Sequence, residues 1–372
     1  MKTNWQIKKL NEICDKASSN ISQNQLNDEA GSYPIYGAGG FIKNISFYYQ
    51  DKEYISIVKD GAGIGRINLL PAKSSVIGTL QYLIPKEGVG IKFLYYILSS
   101  FDFLKYKKGA AIPHVYFREY SEEKFLLPPL PEQQRIVKIL DEVFEKIELA
   151  KKNIEKNLQN SRDLFESYLN NVFSNPGEDW VEKRLGDFYD VRDGTHDSPK
   201  YQKEGCALIT SKNLKRGELD YHKIKYISER DYNKINERSR VNKGDILFAM
   251  IGTIGNPVVI KVEPDFAIKN VALFKVPKEQ NSYFLKYFLD SRFVIDKMIS
   301  EAKGTTQKFV GLGYLRNFKV KLPKLAKQEL IVAKLDKLSE QTKKLEEIYK
   351  KKLENLEELK KSILKKAFSG EL

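Results

Sequence analysis

Cysteine is nearly absent from this 372-residue chain: Cys14 and Cys206 are the only two, and neither has a close partner in sequence. A disulfide framework is therefore excluded and a reducing compartment is expected. Histidine is as scarce. His114, His196 and His222 lie far apart, with no Cys or His neighbours at metal-ligand spacing, so no zinc site is expected. No stretch approaches the ~18 consecutive apolar residues of a membrane span, and the start, MKTNWQIKKLNE, has no apolar core of the kind a signal peptide needs. A cytoplasmic protein without membrane association is the expectation. Chemical signatures are missing too. There is no G-x-x-x-x-G-K-[ST] phosphate loop and no Asn/Asp-Pro-Pro-aromatic tetrapeptide of an amino-methyltransferase. The glycine cluster GAGIG at 61–65 spaces its glycines G-x-G-x-G and runs into RINLLPAK, a strand-like segment. Phosphate binding needs a helix N-terminus there, so a glycine bend between strands is the better account, with IGTIG at 251–255 in the equivalent place later. No catalytic residue, metal ligand or bound cofactor is assigned to the chain.

What is present is charge and repetition. Lys and Arg number 63 against 49 Asp and Glu, giving a net charge of +14 and a pI near 9.3. Such an excess points to an anionic partner, nucleic acid first. Hydrophobic residues make up 41% and aromatics 12%, enough for a sizeable core in each half. The segment FLLPPLPEQQRIVKIL…VFS at 125–174 recurs as VKLPKLAKQELIVAKL…AFS at 320–369, without insertion. Pro128 maps to Pro323, Gln133 to Gln328, Asp141 to Asp336 and Phe173 to Phe368, each 195 residues on. FLYYILSS at 93–100 matches FLKYFLDS at 284–291, now 191 residues on, so an indel lies between, within the β-rich parts. Runs such as Tyr54–Val58, Val76–Ile84, 207–210, 245–255 and 271–276 read as strands separated by glycine-rich breaks.

Each copy of the repeat predicts a long helix. In the first, opened by Pro131, Ile136, Leu140, Val143, Ile147, Ala150, Ile154, Leu164 and Tyr168 fall on a and d positions of one heptad frame; Asn157, Ser161 and Asn171 make that seam partly polar. In the second, from about Lys327 to Phe368, Leu335, Leu338, Leu345, Tyr349, Leu356, Leu359 and Ile363 keep the frame, with Glu346–Lys350 and Glu357–Lys361 at i,i+4 spacing. A rod of roughly 40 residues spans about 60 Å, and with one apolar seam it needs a partner helix. The duplication favours an intramolecular antiparallel pair; pairing with another protein or a second copy is the alternative. The expected fold is α+β: two β-rich domains at opposite ends of an antiparallel pair of long helices, pseudo-two-fold symmetric. The boundaries are 1–127 and 175–322 for the β-rich domains, 128–174 and 323–372 for the helices, with the Asn175-Pro176-Gly177 turn as the break.

Polar and basic loops are the candidate binding elements. Lys59 and Arg66 flank the GAGIG bend. The loop at 107–118 offers Lys107, Lys108, His114, Tyr116 and Arg118, and its aligned counterpart offers Thr305, Thr306, Gln307 and Lys308. Two further clusters hold Thr195, His196 and Lys200, and Ser211, Lys212 and Asn213. Each combines cations for phosphates with amide, hydroxyl or imidazole groups able to read base edges. Taken singly, each also fits an ordinary solvated turn.

The chain resembles the specificity subunit of type I restriction–modification systems across nearly its full length. The paired LPPLPEQQRIVKILD and LPKLAKQELIVAKLD segments carry the resemblance, with GTTQKFVGLGYLRNFKVKLP at 304–323, DILFAMIGTIGNPVVI and the ending ILKKAFSGEL. YPIYGAGGFI at 33–42 looks like part of a divergent target-recognition domain. One departure is visible: Leu325-Ala326-Lys327-Gln328-Glu329 stands where the first copy has Leu130-Pro131-Glu132-Gln133-Gln134, without the proline–glutamate pair. The resemblance implies a non-catalytic subunit with two target-recognition domains, each reading half of a split double-stranded DNA sequence. It implies two methyltransferase (M) subunits as partners, restriction–translocation (R) subunits as possible further ones, and S-adenosylmethionine, ATP and Mg on those partners. A rod of that length allows no more than roughly 18 base pairs between extremes at 3.4 Å each. The competing readings are a coiled-coil scaffold or homodimeric interaction protein without sequence-specific DNA binding, and a self-sufficient methyltransferase or nuclease.

Overall fold

A computed structural model describes residues 4–304 and 307–372. The chain divides into two compact units, one built from Met1–Glu155 with Lys350–Leu372, the other from Lys156–Tyr349.

In the first unit, β1 (Gln6–Lys9) passes through the single turn α1 (Leu10–Ile13) into β2 (Cys14–Ser18). Then come β3 (Tyr33–Gly37), β4 (Gly40–Ile45), β5 (Tyr54–Val58), β6 (Ile67–Leu70), β7 (Ser75–Val76) and β8 (Leu80–Pro85). The helix α2 (Ile91–Ser99), the turn α3 (Phe117–Tyr120) and β9 (Lys124–Leu127) lead to the long helix α4 (Leu130–Ser174). Three sheets result: β2-β8-β5-β6, β4-β3-β7 and the pair β1-β9. The β-branched run of β5 is buried at every position, as a strand covered on both faces must be. Its alternate residues serve different cores: Ile55 and Ile57 pack with Phe93, Leu94 and Ile97 of α2, whereas Tyr54 and Val58 pack with Ile35, Ile45 and Val76. The expected single strand over Val76–Ile84 is in fact two. Gly78 lies where a Cβ would crowd the carbonyls of Ser19 and Ile21, and Leu80 N–H closes a turn onto Ile77 O at 3.0 Å. β7 therefore runs parallel to β3, while β8 joins the four-stranded sheet.

The second unit repeats this plan. Its elements are β10 (Val181–Arg184), α5 (Leu185–Phe188), β11 (Asp190–Asp193), β12 (Cys206–Thr210), β13 (Leu214–Lys215), β14 (Glu218–Leu219) and β15 (Lys225–Ile227). They continue with α6 (Glu229–Ser239), β16 (Ile246–Ala249), β17 (Gly255–Val259), β18 (Phe266–Lys269) and β19 (Val271–Lys275). Last come α7 (Ser282–Asp290), α8 (Arg292–Glu301), α9 (Leu312–Asn317), β20 (Lys319–Leu322) and α10 (Leu325–Ser369). The sheets β11-β19-β16-β17, β15-β12-β18 and β10-β20 match those of the first unit strand for strand, including a parallel pair, β12 with β18. The β13-β14 hairpin and α6 are additions between matched elements, and α8 stands where the first unit has one short helical turn, Phe103–Tyr106; these are the places where insertions cost least.

The residues that repeat 195 positions apart have a structural job. Gln133 is 1% exposed; its carbonyl accepts from Gly90 N–H at 2.8 Å and its amide donates to Gly88 O and Pro128 O at 2.9 Å each. Gln328 is fully buried, accepts from Asn281 N–H at 2.9 Å and donates to Pro323 O at 2.9 Å and to the Gln280 side chain at 2.7 Å. Each glutamine ties a long-helix start to the segment before α2 or α7. Both long helices thus begin at equivalent residues although the second lacks the proline–glutamate pair. Asp141 and Asp336 accept from Tyr96 and Tyr287, each at 2.5 Å. Burial, reinforced by the neighbouring carboxylate, pushes both phenols well above their ordinary range.

The long helices run antiparallel within each unit. In the first, Lys151 meets Glu357 at 3.2 Å and Lys360 meets Glu148 at 3.3 Å; in the second, Arg162 meets Glu346 at 3.1 Å. Of the expected seam, Ile136, Leu140, Ile147 and Leu335 are buried, and Val143, Ile154, Leu338 and Leu356 are half-buried. Leu345 and Leu359 are not seam residues: both are exposed, as are Leu164 and Tyr168. The second row of the frame lies one position further on: in α4 Phe144, Leu158, Phe165 and Leu169 are covered beside Val143, Asn157, Leu164 and Tyr168, and in α10 Glu346 and Lys360 are half-buried beside Leu345 and Leu359, while Tyr349, Leu356 and Ile363 keep their places half-buried. Among the described residues, no helix is long and apolar enough to cross a membrane.

Candidate nucleic-acid interface

The site begins with the bend between β5 and β6. Gly61 and Gly65 hold φ of 95° and 81°, left-handed values that glycine adopts without strain. Gly65 N–H returns to Val58 O at 2.9 Å, and the Arg66 guanidinium folds back over Gly63. The 107–118 loop adds to this edge: Val115 N–H donates to Lys59 O at 2.8 Å and Gly61 N–H to Pro113 O at 2.9 Å. Lys108 and His114 exchange both backbone bonds, at 2.9 and 2.8 Å, and close the tip between them. Gly109 (φ 81°) makes that closure possible, because a Cβ there would sit 2.4 Å from Ile112 O. On the outer side, His114 Nδ1 is 2.7 Å from Asp60 Oδ1, its ring stacks on Tyr116, and the Arg118 guanidinium lies 5.3 Å from the Tyr116 ring centre. Buried Val115 pins the loop from below. The structure thus gathers Lys59, Arg66, Lys108, His114, Tyr116 and Arg118; Lys107 is exposed at the loop's base.

The second unit builds the same frame from different side chains. Val310 N–H donates to Met250 O and Gly252 N–H to Lys308 O, both at 3.0 Å. Lys303 and Phe309 exchange backbone bonds at 3.0 and 2.9 Å, and Gly304 (φ 98°) would bring a Cβ to 2.3 Å from Gln307 O. Gln307 lies over Gly252, and Lys308 Nζ reaches Ile299 O at 3.1 Å. Thr305 and Thr306 lie outside the described residues.

The two remaining clusters join through residues that sequence reasoning missed. His196 sits between Asp193 and Asn270, each at 2.8 Å, and Ser211 donates to Asn270 O at 3.0 Å. Arg238 also bonds Asp193. Lys269, 8% exposed, donates to Ser198 Oγ at 3.0 Å and to the carbonyls of His196 and Asp197, fixing the 195–198 backbone, where Thr195 is half-buried. Lys200 and Lys212 are exposed. Asn213 drops out as a surface reader. It is buried, with its carbonyl accepting from Thr210 and its amide donating to Asp220 O at 2.9 Å. Ala249 pairs with Val271, so Met250, beside the 303–310 loop, and Asn270, beside His196, leave the same end of the four-stranded sheet. A signal for Asn270 was present: the polar pair Lys269-Asn270 interrupts two apolar β-rich runs, and Asn270 holds a left-handed turn (φ 53°) that asparagine tolerates. Among the described residues no cluster of His, Cys, Asp and Glu could hold a metal ion. What the surfaces offer is exposed cations for phosphates beside imidazole and amide groups for base edges.

Two near-equal domains, each presenting a basic loop frame at one sheet end, define a recognition protein built by duplication. The family model for the type I restriction modification DNA specificity domain matches residues 2–160 and 177–355. The chain belongs to that family, the specificity subunits of type I restriction–modification systems. The specificity subunit of the type I restriction enzyme MjaVIII from Methanocaldococcus jannaschii is 27% identical over 341 residues, covering 86% of this chain and 79% of that protein. That of EcoBI from Escherichia coli is 25% identical over 293 residues, covering 71% and 61%. A chain from a structure of type I restriction–modification complex assembly and conformational transition shares the fold, with TM-score 0.79, 19% identity and coverage of 100% and 99%. The HsdS subunit from Thermoanaerobacter tengcongensis gives 0.61, 18%, 100% and 98%.

Proposed function

We propose that each unit reads one half of a bipartite DNA target through its sheet-end loop frame, and that the paired helices hold the two readers a set distance apart. One observation carries this reading. The two frames agree backbone bond for backbone bond, yet Asp60, Ile112, Pro113 and His114 stand where the second has Ile251, Gln307, Lys308 and Phe309. A constant scaffold with variable side chains suits two readers of different sequences. Exposed lysines and arginines contact phosphates and set register; His114, Gln307 and His196 discriminate bases, each good bidentate contact contributing ~1–3 kcal/mol. The 45-residue helices give about 67 Å at ~1.5 Å per residue, which bounds the separation at about 20 base pairs.

The chain itself supplies no chemistry in this reading. Methyltransferase subunits dock on the helices and carry S-adenosylmethionine; restriction–translocation subunits with ATP and Mg complete the cytoplasmic complex. Exposed Leu149, Leu330, Ile348 and Leu359 on the long helices are apolar groups available for such docking. The test is domain exchange. Replacing residues 1–127 with the matching segment of a family member of different target is expected to change one half of the methylated motif and leave the other. A change in both halves, or in neither, rejects the proposal.

A further inference from the structure

The two loop frames share a backbone and differ in chemistry at their tips. Between the paired residues Lys108 and His114 the first frame carries Gly109-Ala110-Ala111-Ile112-Pro113; between Lys303 and Phe309 the second carries Gly304-Thr305-Thr306-Gln307-Lys308. Ile112 and Gln307 hold the same place. The carbonyl of each is the group that a Cβ on Gly109 or Gly304 would strike, at 2.4 and 2.3 Å. One side chain is an amide and the other a plain hydrocarbon. No side chain from Gly109 to Pro113 can give or accept a hydrogen bond.

This hydrocarbon tip is both exposed and held. Ile112 is 60% exposed, with Ala110 and Ala111 exposed beside it, and it joins none of the hydrophobic cores among the described residues. A single apolar side chain on a mobile surface needs no explanation. Here the chain is pinned on both sides. Gly109 shapes the turn before Ile112. After it, Pro113 O accepts from Gly61 N–H at 2.9 Å, His114 Nδ1 lies 2.7 Å from Asp60 Oδ1, and Val115 is buried. Exposed Lys107 and Lys108 enter the same loop, so a polyanion drawn to them meets Ile112.

We propose that Ile112 reads a thymine in the half-site of the first unit by contact with its 5-methyl group; this rests on the loop frame being the DNA reader. In the major groove that methyl is the one apolar group the four bases present, and every other feature is a hydrogen-bond donor or acceptor. A cytosine or adenine amino group pressed against Ile112 loses water and gains no partner, so the same contact that accepts thymine rejects them. At the matched place of the second frame, the Gln307 amide suits the N6 and N7 edge of adenine. One backbone position thus serves two readers of opposite chemistry.

The test uses duplexes carrying the methylated motif, with the first unit's half identified by the domain exchange. Each thymine of that half is replaced in turn by deoxyuridine, which pairs as thymine does and lacks only the methyl. The full chain with its methyltransferase is titrated against each duplex by fluorescence anisotropy. One replacement is expected to weaken wild-type binding about fourfold, the transfer value of one buried methyl. Ile112→Ala is expected to bind the unmodified duplex more weakly by a similar factor and to be indifferent to that replacement. A half-site without an A·T pair, or wild type indifferent to every replacement, overturns the proposal. So does an equal deoxyuridine effect in wild type and Ile112→Ala. A loss in Ile112→Ala with no deoxyuridine effect also overturns it, and makes Ile112 a wedge between base pairs instead. Gly109→Ala is the control. If that variant still recognises the half-site, the loop is not the reader; if recognition is lost while deoxyuridine has no effect, the thymine assignment alone falls. Ile112 lies outside the cores, so Ile112→Ala is expected to fold as wild type does.

Discussion

Substituting Gln133 with Ala removes a side chain that closes three hydrogen bonds in a site 1% exposed. Gly88 is exposed, so its carbonyl can turn to water. Pro128 is buried and Gly90 half-buried, so one carbonyl and one N–H are left without partners. A buried polar group left unpaired costs ~1–3 kcal/mol, so Gln133→Ala is expected to destabilise the first unit by about 3 kcal/mol, roughly 150-fold in the unfolding equilibrium. Gln328→Ala removes the matching bonds to Asn281, Pro323 and Gln280 and is expected to cost the second unit a similar amount. Gln159 on the same helix α4 is exposed and donates only to Asp163; Gln159→Ala is expected to stay within about 0.5 kcal/mol of wild type. The chain's two tryptophans make the assay simple, because Trp5 packs on the first unit's core and Trp180 on the second's. Urea unfolding followed by fluorescence in a Trp180→Phe background reads the first unit, and in a Trp5→Phe background the second. A loss below about 1 kcal/mol for either glutamine refutes the view that the repeated residues are staples.

Gly109→Ala and Gly304→Ala each force a side chain into a left-handed position and onto a carbonyl within 2.4 Å, costing upwards of ~1–2 kcal/mol locally. Each is expected to abolish recognition of one half-site only, measured by methylation of substrates altered in either half; equal effects on both halves contradict the assignment. His114→Ala is expected to relax preference at one base pair by ~1–3 kcal/mol. Arg118→Ala, whose side chain is 80% exposed, should lower the slope of log affinity against log salt by ~0.9 without changing the motif. Affinity measurements across salt and single-base substitutions separate these roles, and exchanged phenotypes reject them. Burial pushes the Cys14 thiol up to about 12, so it stays a protonated, unreactive thiol at pH 8 while half-buried Cys206 is accessible. One thiol per native chain is expected to react rapidly with a disulfide reagent and both in urea; two fast thiols in the native chain contradict the packing.

The duplication was legible because it is written in residues that the fold cannot replace. Gln133 and Gln328, Asp141 and Asp336, recur at one offset since each pair closes the same buried bonds. Strand runs were legible where β-branched residues cluster, as in β5 and β19, and the GAGIG bend was correctly read as a turn between strands. Two features escaped. The heptad frame misplaced Leu164, Tyr168, Leu345 and Leu359, because the covered row runs one position further on, through Phe165, Leu169, Glu346 and Lys360, and its charged members carry no apolar signal. The run Val76–Ile84 concealed a break between two sheets that only long-range pairing with β3 reveals. At the candidate site, the loops at 107–118 and 303–310 were found from charge and repetition. Asp60, Arg238, Lys269 and Asn270 were not, since their partners lie tens of residues away along the chain.

Genome-wide mapping of methylated bases in cells carrying this chain with its methyltransferase tests the central claim most directly. The account predicts one split motif: two different short half-sites separated by a spacer of unspecified bases, within about 20 base pairs overall. A single uninterrupted motif, or half-sites whose separation varies from site to site, would contradict it.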